Sequence, residues 1–142
     1  MTDTRAASAT AALLTAAREA LERYVDVHVD DDGALSFQHG EVPCAVQAIQ
    51  LVEGLAVLSL TCVVAWDLPE SPELASAVAQ RSGQGLFGTL GLVRAERGFD
   101  VILRYTFPAE GLGEVQLGTL LMLVVSTASQ VRTDLLADVS GR

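Results

Sequence analysis

The chain contains no lysine. All nine of its basic residues are arginine, set against 18 acids, for a formal net charge of −9. A phosphate-binding surface needs a concentrated positive footprint, so this balance argues against nucleic acid and against an anionic membrane surface as partners. Histidine is as scarce, with His28 and His39, and cysteine is limited to Cys44 and Cys62. Neither cysteine stands in a CxxC or CxxH spacing, which removes the usual signature of a zinc site. Aromatic residues make up 5% of a chain that is half hydrophobic, so the core must be built from Val, Leu, Ala and Ile. Uninterrupted apolar runs fall well short of the roughly 20 residues of a membrane span. The opening MTDTRAASATAA places an acid early and lacks the basic-then-apolar order of a secretory leader. A cytoplasmic location is the expectation.

The motifs of catalysis are missing too. There is no G-x-S-x-G, and no Ser or Cys lies near a His with an orienting acid. The DDDG stretch at residues 30–33 has the look of a calcium loop but not the D-x-D-x-D-G-x5-E spacing, and a solvated turn explains it better. Ser82-Gly83-Gln84-Gly85 follows a helix and precedes a strand. That is the wrong polarity for a phosphate cradle, and Gly83 and Gly85 are expected to end the helix. No enzyme activity, metal or cofactor is expected.

What is present is periodicity. Residues 5–24 predict a helix, with Leu13, Leu14, Ala17, Leu21 and Tyr24 on one side and Arg18, Glu19, Glu22 and Arg23 on the other. Residues 25–29 alternate Val with Asp and His as a half-buried strand, turning at Asp31-Asp32-Gly33 into a second strand over 34–38. Strands over 42–52 and 55–66 form a hairpin about Glu53-Gly54. The second of them, LAVLSLTCVVAW, is apolar on both faces and predicts a central strand covered on each side. Its terminal Trp66 is the one tryptophan, either a binding anchor or, more commonly, a cap on the core at a sheet edge. Ser71-Pro72-Glu73 reads as N-cap, first helical position and first-turn acid, with Leu74, Ala75, Val78 and Ala79 as the buried face. Strands over 88–95 and 99–107 follow, and the last helix runs from about 114 to about 137, with Gly118 weakening its start.

This order, α-β-β-β(-β)-α-β-β-α, predicts one α+β domain over residues 1–142: an antiparallel sheet flanked by helices, with residues 1–10 frayed. With Glu53-Gly54 as the turn, Val52 faces Leu55 and Cys44 lies opposite Val63, one rung from Cys62. Alternation then points the two thiols to opposite faces, and a disulfide would need a register shift or bulge.

The most apolar block is residues 117–125, LGTLLMLVV. Leu117, Leu120, Leu121, Val124, Ala128, Val131 and Leu135 make an ordinary core stripe, and Met122, Leu123 and Val125 are surplus to it. Either the last helix is sandwiched between sheet and first helix, or this face meets a second copy or a ligand.

Several phrases carry a resemblance: VDDDGALSFQHG with the strand pair after it, DLPESPELASAVA, LFGTLGLV with a further strand, and a closing helix containing TDLLADVSGR. Over about residues 15–142 the chain resembles the YbjN-like proteins and the related type III secretion chaperone-like domains of actinobacteria. The resemblance implies a curved antiparallel sheet flanked by helices and no catalysis. The secretion-chaperone relatives are small acidic homodimers that hold partly unfolded client segments in apolar grooves and along a sheet edge. Members of the family carry a more polar closing helix than LGTLLMLVV, and an acidic stretch with an aromatic-Gly-Gly end where this chain has Val139-Ser140-Gly141-Arg142.

The expectation is a non-enzymatic, cytoplasmic, homodimeric chaperone-like module that binds a client protein or peptide, basic segments being favoured by its acidity. The alternative is a structural or regulatory subunit stable only within a larger complex. Candidate contact residues are Leu74, Val78, Leu117, Leu121, Met122, Leu123 and Val125.

Overall fold

A computed structural model describes residues 2–84 and 87–140, with side chains defined for 8–84 and 87–139. Nine elements follow in order: α1 (Thr2–Leu21), β1 (His28–Val29), β2 (Leu35–His39), β3 (Val42–Val52), β4 (Leu55–Leu68), α2 (Pro72–Ser82), β5 (Thr89–Ala95), β6 (Gly98–Phe107) and α3 (Glu114–Ser140). The six strands form one antiparallel sheet in the order β1-β2-β3-β4-β6-β5. This is the α+β architecture that the pattern predicts.

Local chemistry sets the element ends. The amide N–H groups of Tyr24 and Val25 both donate to the Leu21 carbonyl, so the chain is still turning out of α1 where a strand was expected. Val25 and Val27 therefore lend half-buried side chains to the core without pairing, and β1 shrinks to His28–Val29. At the following turn Gly33 adopts φ +90°, and the Asp32 carboxylate accepts the Ala34 amide at 3.1 Å. The Ser71 hydroxyl accepts the Leu74 amide at 3.0 Å, capping α2 ahead of Pro72. At the other end of α2, Gly83 donates to the Ala79 carbonyl in an ordinary right-handed conformation. Gly85 and the last two residues of the tail lie outside the described residues.

The β3–β4 hairpin corrects the expected register. Val52 pairs with Leu55, but Gln50 pairs with Ala56, leaving Leu51 as the extra residue of a bulge. Every rung beyond it moves by one. Cys44 therefore faces Cys62, not Val63, and both side chains point to the same face.

All three helices lie on that face. A row of register partners, Phe37, Cys44, Cys62, Leu103 and Leu90, crosses five strands and is buried throughout. Leu13, Ala17, Ala20 and Leu21 of α1, Leu74, Ala77 and Val78 of α2, and the α3 stripe join it in one core. The α3 stripe comprises Leu117, Leu121, Val124, Val125, Ala128, Val131 and Leu135. By length and composition α3 is apolar enough to cross a bilayer, but here its stripe is spent on the sheet and α1. Arg81 of α2 ties down the far end of α3 through Asp134 and Asp138.

Gly118 marks where α3 crosses the exit of α1. A Cβ there would sit 3.2 Å from the Tyr24 ring and 3.3 Å from the Ala20 carbonyl oxygen. The glycine that weakens the helix start is thus what lets the two backbones approach. Gly118→Val is expected to lower stability by about 1–3 kcal/mol through overpacking. Gly118→Ala should fall closer to neutral, since about 1 kcal/mol of helix propensity offsets the tight contact. Urea unfolding of the two variants checks the difference.

Candidate functional site

The contact residues expected from sequence do not form a surface. Leu74, Val78, Leu117, Leu121 and Val125 are all buried in the common core, Met122 is partly buried against it, and Leu123 is 47% exposed. Val125 is covered because the stripe is wide enough to bury it beside Val124. Of the surplus trio on α3, one large side chain stays in the open.

The unburied surplus lies instead on the other face of the sheet. Its rungs run Ile49–Val57, then Gln47–Ser59–Thr106, then Ala45–Thr61–Arg104–Thr89, then Val63–Ile102–Gly91. None of these residues belongs to the core beneath the helices, and among the described residues no helix packs on them. The expectation that β4 is covered on each side is therefore corrected: α1 and α3 cover one side of it, and three helices are too few for two faces. Val57 and Ser59 are nonetheless buried within this face.

The uncovered face carries few charges for a chain of net charge −9. Arg104 is the one charge within these rungs, and acids stand at two margins of the face: Asp100 accepts the Asp67 amide at 3.1 Å, and Asp30 accepts from Ser36, the β2 partner of Ala45, at 3.0 Å. Two polar pairs bridge adjacent strands: Thr106 donates to the Ser59 hydroxyl at 3.1 Å, and Arg104 donates to Thr61 at 3.3 Å. Gly91, with no side chain, leaves a shallow depression bordered by Val93, Ile102, Arg104 and Thr106. At one end the face runs into the β3–β4 tip, where Ile49, Leu51, Val52 and Leu55 are all exposed, Val52 to 62%. The signal for this site was in the chain, as the two apolar faces of β4.

The remaining candidates are held in structural roles. His28 is 77% exposed, 3.8 Å from Asp30, while the His39 ring meets the Ser129 hydroxyl at 2.7 Å. Among the described residues no group of three or more His, Cys, Asp or Glu is assembled for a metal. Trp66 does not cap the core. Its ring is 41% exposed, with the Arg132 guanidinium 4.7 Å above it. Arg132 also donates to the Val64 carbonyl at 3.0 Å and pairs with Glu41 at 3.1 Å.

The two thiols meet in the core with their sulfurs 3.6 Å apart. The hydrogen bond to Cys62, burial, and repulsion from a Cys62 charge push the Cys44 thiol far above its ordinary range. Folding thus holds a proton that the unfolded chain releases. The contribution to stability is complete below the thiol's ordinary value of 9.0 and is lost as pH rises beyond it. Above about pH 9, the stability gap between wild type and Cys44→Ala should narrow by up to about 1.4 kcal/mol per pH unit, measured by denaturant unfolding.

Two neighbours on α3 test the placement of the block. Val125→Glu is expected to cost about 3 kcal/mol or more by burying an unpaired charge. Leu123→Glu should stay within about 0.5 kcal/mol of wild type. Melting curves of the pair decide it.

No curated protein matches the chain. A family match does: YbjN, described as "Putative bacterial sensory transduction regulator", over residues 10–137. With residues 10–137, most of its length, matched, the chain belongs to the YbjN family.

Proposed function

We propose that the protein is a non-enzymatic, homodimeric, chaperone-like binding module, and that the uncovered sheet face is its recognition surface. The observation that carries the reading is a sheet face of apolar and mostly uncharged polar side chains, left uncovered by the three helices, with no acid at its centre, on a strongly acidic chain. Exposed apolar side chains stand at the two ends of the face, Ile49 on β3 and Val93 on β5, and exposed apolar surface on a small domain is a mark of an interaction site. Two copies of a chain at −9 repel each other, and they meet at least electrostatic cost across a face without acids at its centre. Six strands at about 4.8 Å spacing give a sheet about 24 Å wide, of the order needed for about 800 Å² per partner.

The client would take other features of the same layer. Strand β5 is one of the two edge strands, and beyond Leu90, whose carbonyl accepts the Ser82 hydroxyl at 3.3 Å, its outer edge offers backbone groups for strand addition. The aliphatic tip at Leu51, Val52 and Leu55, at the other end of the sheet, supplies a separate apolar contact, and the net charge of −9 favours basic client segments. A regulatory or binding role without catalysis is also what the family description supports, and a cytoplasmic location belongs to the same reading.

Light scattering tests it. Wild type is expected to have the mass of two chains, and the double variant Ile49→Glu with Val93→Glu the mass of one. Both positions are exposed, so the melting temperature should hardly move. A wild type that is monomeric at every concentration would sink the homodimer and leave the face to a different protein, as a subunit of a larger complex would require.

A further inference from the structure

The Cys44–Cys62 pair has a geometry that neither the family description nor the proposed binding role uses. The residues lie 18 apart in sequence and directly opposite each other on adjacent antiparallel strands. Directly opposed residues in such a ladder have Cα atoms about 4.5–5.5 Å apart, inside the range of about 4.4–6.8 Å that disulfides span. The sulfurs stand 3.6 Å apart and must close to about 2.05 Å. The two thiols do not have equal access. Cys62 is fully buried, whereas Cys44 is 4% exposed and helps line a cleft bounded by Val25, Phe37 and Pro43, beneath the connection from α1 to β1. That connection pairs with the sheet through two residues only, His28 and Val29.

We propose that Cys44 and Cys62 form a two-electron redox site, interconverting between a dithiol and an intrachain disulfide, with a peroxide as the oxidant. Cys44 reacts first. Its sulfur attacks one peroxide oxygen, the O–O bond breaks, and the products are a sulfenic acid on Cys44 and one water. The Cys62 sulfur then attacks the Cys44 sulfur; the S–O bond breaks, and the departing hydroxide leaves as a second water with the Cys62 proton. Two thiols have lost two electrons and two protons, and hydrogen peroxide has become two waters. A dithiol reductant reverses the change by exchange. The hydrogen bond to Cys62 and burial hold Cys44 protonated, which slows the first step. With the second sulfur already in place, the sulfenic acid does not accumulate. The site stands whether or not the sheet face binds a partner.

The test uses the folded, reduced full chain with hydrogen peroxide, followed by intact mass and by peptide mapping under non-reducing conditions. The expected result is a mass lower by two hydrogens, loss of both thiols to alkylation, a Cys44–Cys62 linked peptide, and full return with dithiothreitol. Cys62→Ala should instead stop at the sulfenic acid, which dimedone traps on Cys44; Cys62→Ser serves if the alanine variant does not fold. Added oxygen on wild-type Cys44 would overturn the proposal. So would a disulfide joining two chains, or two thiols untouched by peroxide that fully oxidises the chain in denaturant.

Discussion

A six-stranded sheet has two faces, and this chain supplies three helices. Burying one face takes all of them: α1 and α3 over the middle strands, α2 over β5 and the end of α3. That allotment decides the rest of the structure. It makes the α3 stripe core, it draws Gly118 down onto the exit of α1, and it leaves a second face with nothing of the described chain to cover it. The hydrophobic surplus that composition announces is real, but its location is set by how many covering elements the chain has.

Much of this was legible. The serine cap and proline of α2, the bounds of β3, and the β5–β6 hairpin follow from turn and capping chemistry that acts within a few residues. What failed to show were effects that depend on distant partners. The alternation of Gln50, Leu51 and Val52 carries no sign of an extra residue, so the bulge that aligns the cysteines was invisible. Val25 and Val27 have the right spacing for a strand, yet the amide of Val25 is still engaged by the end of α1.

The candidate site was legible in one half. The two apolar faces of β4 were plain, and from them a strand covered on both sides was the natural reading. The excess of apolar residues on α3 drew attention to Met122, Leu123 and Val125, when a stripe wide enough for Val124 and Val125 together absorbs most of it. A helix can widen its buried stripe to take in one more residue, but a strand cannot. Its alternate side chains leave on the opposite side whatever the packing.

The placement of Trp66 has a practical consequence. With one tryptophan in the chain, intrinsic fluorescence comes from a single indole. That indole stands half in solvent at the end of β4, under a guanidinium carried by the middle of α3 and steadied by Glu41 from the β2–β3 turn. Its emission therefore reports whether three segments distant in sequence remain together, from a position off the hairpin tip. A spectroscopist inherits a native optical probe of the α3–sheet contact, without labelling or mutation.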